Sequence, residues 1–133
     1  MIQTRNLVLA PLQGSVTPKI LRFTIKVMGK RISVVVYPTL KGLLADRRRC
    51  DPNGWRNTIA FVSRGTRSGL RVCFVRRLTG SETVAHESVH LAFAITGDWK
   101  RKTIPSEEAI AIATGKCEAA LVQAFWKHGV YKR

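Results

Sequence analysis

Residues 81–98 read SETVAHESVHLAFAITGD, and the period of this run decides the fold. Val84, Leu91 and Ile95 fall on one helical face with Val89 and Ala92 beside it, so the run predicts an amphipathic helix. Thr79 with Glu82 matches a capping box at its start, and Gly97 stands where such a helix stops. Upstream the pattern is that of strands. LRFTIKVM (21–28) and RISVVVY (31–37) are β-branched and partly alternating, and Gly29-Lys30 between them predicts a two-residue hairpin. Pro38 ends the second run, and LKGLLADRRR (40–49) reads as a short helix or an irregular connection. After the turn cluster Asp51-Pro52-Asn53-Gly54, NTIAFVS (57–63) and LRVCFVRR (70–77) predict two more strands. IQTRNLVLA (2–10) is a candidate fifth.

Downstream, the polar linker DWKRKTIP (98–105) leads to Ser106, which can cap a second helix that closes at Gly129. The expected fold is α+β: an antiparallel or mixed twisted sheet of about four or five strands followed by two antiparallel helices. One domain spans 1–133, with a basic, mostly-β part (1–78) and a two-helix part (79–133).

The composition narrows the function classes. A chain of 133 residues with 45% hydrophobic residues can bury a core. It has no apolar stretch near the roughly 20 residues that span a bilayer, and its first residues lack the apolar block of a secretory signal. The expectation is therefore a cytoplasmic protein that uses no membrane. Cys50, Cys73 and Cys117 are odd in number and lack a CxxC pair, which argues against a disulfide framework and a cysteine zinc cluster. Cys73 in a strand and Cys117 in a helix read as packing residues. Residues 1–80 carry 16 Lys and Arg against two acids, Asp46 and Asp51, whereas residues 81–133 carry seven against six. A basic part of that kind attracts polyanions through phosphate contacts and counterion release. Trp55 with Arg56, and Arg47, Arg48 and Arg49 shortly before, are the candidate nucleic-acid contacts.

Within the predicted helix, residues 86–90 read HESVH. Given three histidines and five glutamates, a chance HExxH is expected about 0.3% of the time. Residues four apart on a helix share a face, so His86 and His90 can aim both imidazoles at one zinc ion. Glu87 lies about 100° round the helix, where a base for a zinc-activated water belongs. A catalytic zinc takes three protein ligands, and Glu107 and Glu108 open the second helix. Glu108 shares a stripe with Ala111, Gly115, Ala119 and Val122, whose small residues would let the first helix approach. Glu108 is therefore preferred to Glu107, although the helix dipole alone favours acids in a first turn.

HESVH (86–90) and SEEAIA (106–111) together resemble the zincin metallopeptidases, specifically the gluzincins, and the compact form is similar to small phage-encoded HExxH proteins. The likeness covers roughly residues 79–125. It implies a minimal zincin-like fold, zinc held by His86, His90 and Glu108, and Glu87 as catalytic acid/base. A phage-encoded protein would act in the host cytoplasm. The aspartate that often follows the third ligand in such proteins is replaced by Ile112, leaving Asp98 or Glu118 to orient a ligand imidazole. Tyr37, His128 and Tyr131 are the candidates for stabilising an oxyanion. The SprT-like DNA-associated proteases also carry HExxH, but their third ligand is a histidine, and KRKTIPSEE (100–108) has none.

The expected function is zinc-dependent hydrolysis of peptide bonds through a metal-activated water, with a peptide or protein substrate extended along an edge strand at 70–77. The alternative is a basic factor binding nucleic acid or an acidic protein, for instance a phage inhibitor, on the same scaffold without turnover.

Overall fold

The computed structural model describes residues 19–65, 69–97 and 105–132. Strands β1 (Leu21–Val27) and β2 (Lys30–Tyr37) form the expected hairpin. Val27 pairs with Lys30, so the turn is Met28-Gly29, one residue earlier than Gly29-Lys30. Both turn residues have positive φ, 51° and 78°, the backbone that a type I′ turn demands.

Helix α1 (Leu40–Cys50) follows, with the Thr39 side chain accepting from the Gly42 N–H. After it come β3 (Ala60–Gly65), β4 (Gly69–Val75), a 3₁₀ turn (Arg76–Leu78), α2 (Ser81–Thr96) and α3 (Glu107–Lys127). The sheet order is β1-β2-β4-β3, with β2 and β4 parallel and the other pairs antiparallel. This is an α+β fold on a mixed four-stranded sheet. The candidate strand at 2–10 lies outside the described residues.

One expectation about the sheet is corrected. Residues 70–77 do not form an edge strand: β4 is interior, and among the described residues β3 is the edge beside it. Val72, Cys73, Phe74 and Val75 are all buried, and only a strand covered on both faces accommodates such a run.

On one face Ile25, Val27, Ile32, Val34, Val36, Val72 and Phe74 pack with Val84 and Leu91 of α2 and Cys117, Leu121 and Phe125 of α3. Each large apolar side chain buried there contributes about 1.5–3 kcal/mol. The start of α2 (Gly80, Ser81, Val84) and the later turns of α3 (Glu118, Val122, Trp126) line one groove, so the two helices run antiparallel. Val89, expected beside the core, is exposed. The capping box is not formed either: Gly80 is the N-cap, and the Thr79 hydroxyl donates to the Arg76 carbonyl at 3.1 Å. At α3 the Ser106 side chain accepts from the Ala109 N–H as expected, and at Gly97 α2 stops. The Tyr131 hydroxyl donates to the Thr79 carbonyl at 2.6 Å, tying the chain after α3 to the entry of α2.

Helix α1 covers part of the other face, where Leu43 packs with Val35, Tyr37, Phe61, Cys73 and Val75. Asp46, also buried, anchors it. Its carboxylate accepts from Arg71 at 2.5 and 3.0 Å and from the Tyr37 hydroxyl. Burial alone would raise the Asp46 pKa, but the hydrogen bonds from Arg71 and Tyr37 outweigh it and hold the carboxyl below its ordinary value. Burial, reinforced by the hydrogen bond to Asp46, pushes Tyr37 up to about 12. Cys73 is pushed up to about 12 and Cys117 to about 11, in both cases chiefly by burial, which fits their packing role.

Removing Asp46 strands the Arg71 guanidinium. Asp46→Ala is expected to cost about 3 kcal/mol by urea unfolding, the low end for a broken buried pair, because Arg71 keeps 20% exposure. The folded pKa lies below the unfolded one, so the contribution is complete above about pH 4 and disappears as pH falls through the lower folded value. Stability measured between pH 5 and pH 2 should therefore fall less steeply in Asp46→Asn than in the parent.

Candidate functional site

Helix α2 carries its chemistry on the flank facing β3. His86, Glu87 and His90 line a groove of about 420 Å³ together with Arg47 of α1, Ala60, Phe61, Val62 and Arg64 of β3, and Phe93. The two Nε2 atoms are 3.2 Å apart. Two nitrogens bound to one zinc at about 2.0–2.1 Å with a near-tetrahedral angle stand about 3.3 Å apart. The pair therefore has the separation of a chelating pair. Without metal, the same distance suits a hydrogen bond between neutral rings of complementary tautomer. Burial, and then the neighbouring His86, lower the His90 pKa and favour the neutral ring that a metal requires.

Glu87 is 5% exposed, and the nearer of its oxygens is 3.9 Å from His86 Nε2. Burial raises its pKa, opposed by the charges of His86 and Arg47. A carboxyl whose pKa burial raises holds a proton more readily than an ordinary exposed one, which suits proton transfer. A second cavity adjoins the first and is lined by Asn57, Thr58, Glu82, His86 and Glu87.

The structure does not bring the expected third ligand to this pair. Glu107 and Glu108 are both exposed in the first turn of α3. Among the described residues no group of three or more His, Cys, Asp or Glu is disposed to hold a metal. The reason lies in the facing of α3. Its buried side is Ala113, Cys117, Leu121, Ala124 and Phe125, whereas Glu108, Ala111, Gly115 and Ala119 are exposed. Larger apolar side chains win the contact with α2 and the sheet, and the small-residue stripe is left outside. Gly115 accordingly makes no close helix contact: among the described residues a Cβ there would meet nothing within 4 Å.

The remaining expectations divide. Asp98 lies outside the described residues, and Glu118 lines the groove at the start of α2 with Trp126, not the histidine groove. Tyr37 is bound to Asp46, His128 stacks on Phe23 at 4.3 Å, and Tyr131 is bound to Thr79; none of the three lines the histidine groove. Of the basic candidates, Arg48 and Arg56 lie over the Trp55 ring at 5.5 and 4.8 Å, and the Arg49 side chain is 72% exposed. Arg47 is instead a wall of the groove, stacked on Phe61 at 5.2 Å and paired with Asp51 at 3.5 Å. Reading the sequence did not place Arg47 or Glu82 beside the histidines. For Glu82 the spacing of four residues to His86 was a usable signal; for Arg47 nothing in the linear order was.

Comparison with protein-family models, with curated proteins and with solved structures finds no match to this chain.

Because Gly115 is an exposed helix-interior glycine with open space where its Cβ would be, Gly115→Ala is expected to stabilise the fold by about 1 kcal/mol, read from the urea midpoint at unchanged slope. A close helix contact at this position would give destabilisation instead.

Proposed function

We propose that the protein is a zinc-dependent peptidase whose reacting groups lie in the groove between α2 and β3. The observation that carries this reading is the 3.2 Å separation of His86 and His90 Nε2 beside the buried Glu87 carboxyl. His86 and His90 would supply two of the metal's protein ligands; among the described residues neither Glu107 nor Glu108 stands with them to supply a third. Zinc bound there supplies Lewis acidity and lowers the pKa of a coordinated water.

The protein's own groups do the rest. Glu87 takes a proton from the attacking water and returns it to the departing amine, a role suited to a carboxyl raised by burial. The Arg47 guanidinium, fixed on Phe61, adds positive charge to the groove wall where a peptide carbonyl gains negative charge. The edge strand β3 offers backbone groups for an extended peptide, a recurrent mode of peptide capture. No helix among the described residues is long and apolar enough to cross a membrane.

A second reading has its own support in the uneven charge, 16 basic residues against two acids over residues 1–80. It makes the chain a basic factor that binds nucleic acid or an acidic protein without turnover.

Zinc titration and peptide cleavage by the purified protein test the first reading. His86→Ala and His90→Ala should each abolish stoichiometric zinc binding. Glu87→Gln should keep zinc and lose at least 100-fold in kcat/KM, on the order expected for a general base. Glu107→Gln and Glu108→Gln should keep zinc affinity within about twofold, since neither carboxylate stands with the pair. Full activity in Glu87→Gln would sink the mechanism, and loss of zinc in Glu108→Gln would restore a glutamate to the ligand set.

A further inference from the structure

Among the described residues, the side of the sheet that carries α1 is only partly covered. Helix α1 packs over β2, β3 and β4, while Arg22, Thr24 and Lys26 of β1 are exposed. Side chains alternate across a strand, and Leu21, Phe23, Ile25 and Val27 face α2 and α3. Arg22, Thr24 and Lys26 therefore point to the α1 side. Register places their neighbours: Thr24 is opposite Ser33, which is opposite Arg71, which is opposite Ser63. A row of hydroxyls and one guanidinium thus crosses all four strands.

Lys26 lies directly opposite Arg31, and both are exposed. Like charges in that relation repel, at a cost to the hairpin. Among the described residues no ion pair engages Arg22, Lys26 or Arg31. The two acids of residues 1–80 are already committed, Asp46 to Arg71 and Arg49 and Asp51 to Arg47. The cationic face is unbalanced from within.

We infer that this cationic sheet face, centred on Arg22, Lys26 and Arg31 with Thr24 and Ser33, binds the phosphate backbone of nucleic acid. It deepens the second reading above by naming its surface, and it is independent of the zinc site. Lys, Arg, Ser and Thr side chains are the ones that contact phosphate and sugar, and such contacts carry no base sequence. An interfacial membrane face would present Trp, Phe or Leu among its cations; Arg22, Thr24, Lys26, Arg31 and Ser33 include none, and among the described residues the exposed apolar side chains beside them are only Ile20 and Met28 at the two ends of β1. An acidic protein partner would be expected to find apolar anchors at the centre of its interface; here hydroxyls fill that place.

The test uses the full chain and fluorescence anisotropy with a labelled mixed-sequence 20-nucleotide strand and the matching duplex, from 50 to 300 mM salt. The parent should bind at low salt, with affinity falling steeply as salt rises. The triple variant Arg22→Gln, Lys26→Gln, Arg31→Gln should bind at least tenfold more weakly, and its salt slope should fall by about two to three, close to one unit per lost phosphate contact. A second triple, Lys116→Gln, Lys127→Gln, Lys132→Gln, removes equal charge from exposed positions on and after α3 and should stay within about threefold of the parent. Equal weakening by both triples would overturn the inference, because net charge alone would then explain binding. So would absence of binding at 50 mM salt, or binding to phosphatidylserine vesicles but not to either oligonucleotide. Zinc affinity should be the same in the first triple and the parent, so failure here and failure of the zinc reading are separately visible.

Discussion

A single buried carboxylate organises the face of the sheet on which the candidate site depends. Asp46 accepts from Arg71 of β4 and from Tyr37 of β2, so one side chain of α1 is fastened to the two interior strands. Taking a carboxylate out of water costs several kcal/mol unless its partners are well placed, and here the guanidinium is bidentate and the hydroxyl adds a third bond. The next residue in the helix is Arg47. It lies over Phe61 at the rim of the histidine groove and pairs with Asp51.

The groove itself results from a division of α2 between two demands. Val84, Leu91 and Ala92 are buried, whereas His86, His90 and Phe93 are exposed on another flank of the helix. Glu87 lies between these flanks, buried yet in contact with the groove. A carboxyl in that position is costly to ionise, which is a poor choice for stability and a useful one for moving protons. Nothing in the core requires a glutamate there; a leucine would pack more cheaply. The site therefore departs from what packing alone would select, as functional sites commonly do.

The basic surface follows different physics. Charges on an exposed strand contribute little to the fold, and a like-charged cross-strand pair works against it. The hairpin tolerates Lys26 opposite Arg31 because its other face is well buried, with Ile25, Val27, Ile32 and Val34 in the core. Stability on one side of the sheet frees the other side to carry charge.

The sequence by itself determined the local structure. The hairpin, the helix at 81–96, the Ser106 cap, the stop at Gly97 and the shared helical face of His86 and His90 all depend on residues near one another in the chain, and period and turn chemistry report such relations directly. It misplaced details governed by one-residue competition, such as the hairpin turn at Met28-Gly29 and the Gly80 cap. Only the tertiary structure decided how strands 60–65 and 69–75 order themselves, which side of α3 faces inward, and that Arg47 stands beside Glu87. These are contests between surfaces distant in sequence. The α3 stripe through Glu108 and Gly115 looked suited to a close helix contact, but the heavier stripe through Cys117, Leu121 and Phe125 buries more apolar area and turns it outward. A linear pattern lists the faces a helix has; the free energy of packing them against particular neighbours selects which one is used.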